Sequence, residues 1–168
     1  MSVSTRCTAR SLWNSTAEPG PALQMLQTDL SAEVVIVGGG YSGLSAAHAL
    51  QQRGIEPIVL EARTVGWGAS GRNGGAVLGK FRVPFPAIAS SHGLQTAQRM
   101  HSLAHESVDA VEELIADLAI RHAQFERTGN LRCAHTQRAL DAITAEADWL
   151  GSELKDDSCC VLSRAELA

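Results

Sequence analysis

The run Val34-Val35-Ile36-Val37-Gly38-Gly39-Gly40-Tyr41-Ser42-Gly43 constrains this chain more than any other stretch. Four consecutive β-branched residues favour an extended strand, and a glycine cluster follows without a spacer. A helical pattern comes next, then Ile58-Val59-Leu60, then the acid Glu61. Strand, tight turn, helix, second strand and terminal carboxylate are the parts of a βαβ unit that opens a parallel sheet and holds a dinucleotide.

Each glycine in that pattern has a physical role. Gly38 permits the sharp turn out of the strand. Gly40 has no side chain, so backbone can approach a pyrophosphate, and Gly43 lets the helix lie close on the sheet. The helix opening near Ser42 turns its unpaired N–H groups and positive dipole end towards the phosphates. Glu61 follows Gly43 by 18 residues. At the end of the second strand its carboxylate can accept from a ribose diol, and it would repel a 2′-phosphate. Context supports the motif: Ala47 is small enough for close helix–strand packing, and Gly54 ends the helix after Leu50. The helix is expected over Ser42 to Arg53, burying Leu44, Ala47 and Leu50 and leaving His48, Gln51 and Gln52 nearer solvent.

A second glycine-rich stretch follows, Ala62-Arg-Thr-Val-Gly-Trp-Gly-Ala-Ser-Gly-Arg-Asn-Gly-Gly-Ala-Val-Leu-Gly-Lys80. Its glycines rule out a packed helix through the first half. From Ala62 through His105 there is no Asp or Glu, whereas Arg63, Arg72, Lys80, Arg82 and Arg99 are basic. Such a stretch directly after a dinucleotide motif suits an anionic ligand. Ser70 and Asn73 add neutral hydrogen-bonding groups, and Arg72 adds a fixed cation.

These two motifs, VVIVGGGYSGLSAA and VGWGASGRNGG, resemble the N-terminal part of FAD-dependent oxidoreductases of the D-amino-acid oxidase superfamily, and within it gamma-glutamylputrescine oxidase-like enzymes. Ser11-Leu12-Trp13 is also similar to that group's N-terminal arm. The resemblance implies that the first motif holds the ADP half of FAD and that the second runs along the pyrophosphate towards the flavin. Carried over by residue, it implicates Gly38, Gly40, Gly43, Glu61, Arg63, Ser70, Arg72, Asn73 and Gly74 in cofactor binding. It implies oxidation of a C–N bond of a small amine or amino-acid substrate: hydride passes from the carbon beside the amine to the flavin, and the imine hydrolyses. No residue of this chain stands out as an acid–base catalyst.

The fold class expected is α/β: an incomplete Rossmann-like FAD-binding domain, present as its βαβ start, followed by the beginning of an α+β substrate-domain insertion. Residues 1–32 read as an arm across the domain surface, broken at Glu18-Pro19-Gly20-Pro21, with Trp13 packing rather than binding. Residues 33–90 read as the N-terminal part of the FAD-binding domain, and 91–168 as a helical, α+β segment.

In that last segment, Leu94, Ala97, Met100, Ala104, Val108, Val111, Leu114, Ile115 and Leu118 follow a 3.6-residue period and predict one long helix. Prolines 84 and 86 precede it. Glu106, Asp109, Glu112, Glu113 and Asp117 form its solvated face. His101 and His105 stand at i, i+4, but no third ligand is evident, and no metal is expected there. Phe125 to Ala134 reads as two short strands around Gly129-Asn130. Thr136 to Leu150 reads as a second helix, burying Leu140, Ile143, Ala147 and Leu150 and ending at Gly151. Asp156-Asp157 reads as a surface turn. Ser163-Arg164-Ala165-Glu166 is a capping box. A helix start so near Ala168, and only two clear strands, predict an N-terminal fragment.

The net charge of −4 argues against nucleic acid as a partner. No segment approaches the roughly 20 apolar residues of a membrane span, and Met1-Ser-Val-Ser-Thr-Arg6 lacks an apolar signal core. Cys7, Cys133, Cys159 and Cys160 contain no CxxC pair. Buried or free thiols in a reducing cytoplasm are the expectation. Two other readings remain open: a non-catalytic remnant that binds nucleotide weakly or not at all, and an NAD-dependent dehydrogenase. The second glycine loop counts against the latter. The sequence does not name the substrate or the oligomeric state.

Overall fold

The computed structural model describes residues 11–20 and 22–166. Cys7 and the rest of residues 1–10 of the arm, Pro21, and the last two residues lie outside them. The chain divides into two compact units, residues 1–76 and 77–168.

In the first unit, a short helix α1 (Leu12–Thr16) precedes strand β1 (Val35–Val37), helix α2 (Tyr41–Gln51) and strand β2 (Ile58–Leu60). The strands pair in parallel, with Val35 opposite Ile58, Ile36 opposite Val59 and Val37 opposite Leu60. Parallel pairing demands a crossover, and α2 supplies it. The ladder runs on into the turn, where Gly38 N–H donates to the Leu60 carbonyl at 2.8 Å. Leu26 and Leu30 of the arm border a shallow groove with Val35, Ile58 and Leu60. A one-turn 3₁₀ segment, Ala69–Gly71, lies in the second glycine loop.

Two parallel strands offer little area to cover. Among the described residues of this unit only Gly39 is buried, and Val37 is 86% exposed. Leu44, expected inside, is 41% exposed, because a sheet this narrow does not reach beneath it. Ala47 and Leu50 are half-buried.

The second unit holds α3 (Phe85–His92), α4 (Leu94–Asp117) and α5 (Gln137–Trp149). Its core is Phe85, Ile88, Ala97, Ala104 and Leu150, with Ala89, Met100, Trp149 and Leu154 packed against it. The long helix predicted from periodicity is real, but a separate helix precedes it. Pro86 sits in the first turn of α3, where its missing N–H costs nothing. Gly93, at φ 86°, ends α3 and starts α4.

Thr136 caps α5, its hydroxyl accepting from Ala139 N–H at 3.2 Å. Gly151 does not end the helix as expected. The chain widens there into a π-turn over Leu150–Leu154 and leaves it through Lys155, a non-glycine residue at φ 58°. The expected strands over Phe125 to Ala134 are not formed; that stretch is irregular. Arginines tie it to helices instead. Arg127 bonds Asp109 at 2.6 Å and Glu112 at 2.7 Å on α4, and Arg132 bonds Glu146 on α5 at 2.6 Å. The capping box closes reciprocally: Ser163 N–H donates to Glu166 at 2.7 Å, and Glu166 N–H to the Ser163 hydroxyl at 3.4 Å. No helix among the described residues is long and apolar enough to cross a membrane.

Candidate functional site

The glycine turn between β1 and α2 is where the first unit gathers its polar groups. Gly38 takes φ 106°, a conformation only glycine adopts without strain. A Cβ on Gly43 would lie 2.0 Å from the Gly38 carbonyl oxygen and 3.3 Å from the Ile36 side chain. The bare Gly43 is therefore what lets α2 sit directly on the turn. At Gly40 a Cβ would come within 2.9 Å of the Ser70 hydroxyl.

Glu61 leaves the end of β2 and folds back over this turn. Its Oε2 accepts from Gly39 N–H at 2.8 Å and its Oε1 from Arg63 N–H at 2.9 Å. The Gly39 bond, then the Arg63 bond, holds the carboxyl below its ordinary value of 4.5. Partial burial opposes them, and Ala62 N–H and the Arg63 charge add to them. The carboxylate keeps an acceptor site for a further donor.

The second loop closes on the first. Gly66 N–H donates to the Gly39 carbonyl at 2.9 Å. Ser70 Oγ accepts from Tyr41 N–H at 3.0 Å, so a neutral hydroxyl caps the start of α2. Asn73 Nδ2 donates to the Tyr41 hydroxyl at 3.1 Å and to the Ser70 carbonyl at 2.5 Å, and its Oδ1 accepts from Gly75 N–H at 2.6 Å. Arg63 and Arg72 both stack on the Trp67 ring, at 4.1 and 4.4 Å from its centroid.

The arm fastens this loop. Trp13 Nε1–H donates to the Asn73 carbonyl at 2.7 Å, and the Ser11 hydroxyl to the Gly71 carbonyl at 2.8 Å. The indole covers Gly75, where a Cβ would come within 2.7 Å of it. Trp13 packs, as expected from the sequence.

Gly38, Gly40, Gly43, Glu61, Arg63, Ser70, Arg72 and Asn73 thus gather about one turn. Gly74 faces open space instead; beyond its chain neighbours, no atom lies within 4 Å of where its Cβ would be. The basic residues Lys80, Arg82 and Arg99 belong to the second unit. Sequence reasoning passed over Gly39, Tyr41, Gly66, Trp67 and Gly75. Trp67 midway between two arginines was the available signal for the stacked pair.

Residues 33–168 match the family model described as DAO, FAD dependent oxidoreductase. The chain belongs to that family. This family member is 39% identical over 90 residues to gamma-glutamylputrescine oxidoreductase of Escherichia coli, covering 54% of the chain and 21% of the relative. It is 36% identical over 90 residues to the probable oxidoreductase OrdL of Haemophilus influenzae, again 54% of the chain and 21% of the relative. A 31-residue stretch is 58% identical to the flavin-containing amine oxidase of Oncorhynchus mykiss, 18% of the chain and 6% of the relative. The chain thus spans about a fifth of the length of the first two relatives. No solved structure matches it significantly. Family membership carries a Rossmann-like fold, of which the parallel β1–α2–β2 unit is one part.

Proposed function

We propose that this chain is the N-terminal portion of an FAD-dependent enzyme that oxidises a C–N bond of a small amine or amino acid, and that its glycine turn and Glu61 hold the ADP half of the cofactor. The observation that carries this reading is the 2.8 Å bond from Gly39 N–H to Glu61 Oε2. It fixes a carboxylate at the lip of a bare-backbone turn, where a ribose diol needs an acceptor.

The residues present fit a pyrophosphate beside it. The first turn of α2 carries no acid, its leading N–H meets a neutral hydroxyl rather than a carboxylate, and the guanidiniums of Arg63 and Arg72 stand on one ring nearby. Gly38, Gly40 and Gly43 would admit the phosphates, and Ser70, Arg72, Asn73 and Gly74 would line the path towards the flavin. When bound, FAD supplies a ring that accepts the electrons of amine oxidation; the chain's own residues bind and orient it. The names of the Escherichia coli and Oncorhynchus mykiss relatives support an amine substrate. Residues 1–32 then serve as an arm, 33–90 as part of the FAD-binding domain, and 91–168 as the start of a substrate domain. Cys133, Cys159 and Cys160 are free and exposed, in keeping with a reducing cytoplasm.

A second reading, a remnant that binds nucleotide weakly, is favoured by the near-absence of burial among the described residues of the first unit. Titrating the purified chain with FAD and recording the visible spectrum separates the two. One flavin per chain supports the flavoenzyme portion; substoichiometric flavin supports the remnant. Competition with NAD tests the dehydrogenase alternative, which the family's flavin dependence disfavours.

A further inference from the structure

A second polar cluster lies wholly within the second unit and plays no part in the reading above. His101 and His105, one turn apart, share a face of α4. Asp156 joins them from the chain just beyond α5. His101 Nε2 lies 2.9 Å from Asp156 Oδ2, and His105 Nε2 lies 3.9 Å from the same oxygen. One ligand atom from each residue falls within 4.8 Å of the others.

Asp156 is placed by a specific backbone path. The π-turn over Leu150–Leu154 widens the end of α5, Lys155 reverses the chain, and Asp156 N–H closes on the Leu150 carbonyl at 3.2 Å. The carboxylate is then oriented. Its Oδ1 accepts from Ser158 N–H at 2.9 Å and from the Ser158 hydroxyl at 2.5 Å, which leaves Oδ2 to face the two imidazoles. Fixed outer partners of this sort position metal-binding carboxylates. Phe85 packs edge-on against the His101 ring, 5.2 Å between centroids.

We propose that His101, His105 and Asp156 form a three-ligand site for a divalent transition metal, with Zn²⁺ the ion their chemistry fits. Two imidazoles and a carboxylate are a borderline donor set of the kind zinc takes. Tetrahedral zinc with bonds of about 2.0–2.1 Å sets its ligand atoms about 3.3 Å apart. The separations of 2.9 and 3.9 Å bracket that value, so small side-chain adjustments suffice. His101 and Asp156 are 15% and 9% exposed, whereas His105 is 46% exposed. An ion can therefore enter past His105 and keep a water as fourth ligand. Bound there, it clamps α4 to the chain after α5, elements joined across 55 residues.

The test uses the full chain with every cysteine replaced by serine, so that thiols do not compete. Zn²⁺ is titrated by calorimetry against that protein and against its His105→Gln and Asp156→Asn versions. The expected result is one Zn²⁺ per chain, bound at least tenfold more weakly by each variant, with Zn²⁺ raising the thermal midpoint of the parent alone. Co²⁺ substitution gives a second readout: visible bands of tetrahedral intensity in the parent, lost in both variants. His105 is half-exposed and its only link to Asp156 is the longer contact, so His105→Gln retains the fold; its far-ultraviolet dichroism checks this. Zn²⁺ uptake that is absent, or equal in parent and variants, overturns the site and leaves a plain histidine–aspartate hydrogen bond.

Discussion

Gly43 faces the Gly38 carbonyl so closely that a Cβ at Gly43 would stand 2.0 Å from the oxygen. That atom is backbone, with no flexible side chain to give way, so the first turn of α2 and the turn after β1 must separate if anything larger than hydrogen is present. Gly43→Ala is expected to cost about 1–3 kcal/mol, the usual range for overpacking a tight contact. Because the described residues of the first unit bury so little else, FAD binding should be lost while the helices of the second unit keep their thermal transition. Flavin titration and circular dichroism on the same sample check both parts.

Glu61 should report its grip through pH. Its carboxyl titrates below 4.5, chiefly because Gly39 N–H bonds the ionised form. The stabilisation is therefore fully present above 4.5 and fades as pH falls through the lowered folded value. The amide proton resonance of Gly39 should shift with a midpoint under 4.5, and Glu61→Gln should remove that titration and weaken FAD about tenfold. A midpoint above 4.5 contradicts the bond.

Trp67 holds two guanidiniums on one ring, each contact worth about 0.5–1 kcal/mol at an exposed site. Trp67→Leu should release both and weaken FAD several-fold without unfolding the chain. Arg72→Lys should fall between the two, since an ammonium stacks less well than a guanidinium. Equilibrium dialysis across the three proteins orders them.

Trp13 acts through the loop it fastens. Trp13→Phe keeps a ring over Gly75 but removes the hydrogen bond to the Asn73 carbonyl. A bond of about 1 kcal/mol corresponds to roughly fivefold in local opening. The Gly75 amide, which donates to Asn73 Oδ1, should exchange that much faster with deuterium.

What was legible in the sequence follows the range of the interactions. The β1–α2–β2 unit rests on local pattern, a β-branched run, glycines and a helix of period 3.6, and it forms where expected. The helix expected from Thr136 and the capping box at Ser163 are local too, and both form. The misses depend on distant partners. Phe125 to Ala134 reads as two short strands about Gly129-Asn130, yet Arg127 and Arg132 find acids on α4 and α5, and among the described residues no neighbouring strand pairs with it. Asp156 reads as a surface acid because nothing nearby in sequence points to His101, 55 residues away. Gly93 breaks the helical run because its φ of 86° cannot continue an α-helix; the apolar periodicity that starts at Leu94 does not reveal the separate helix before it.

The most direct measurement is an FAD titration of the intact chain beside its Glu61→Ala version, read by the visible spectrum of bound flavin and repeated with NAD as competitor. The expected result is one flavin per chain, displaced poorly by NAD and bound at least tenfold more weakly without the carboxylate. Equal flavin binding with and without Glu61, or displacement by NAD at matching concentration, would contradict a turn built to hold the ADP half of FAD.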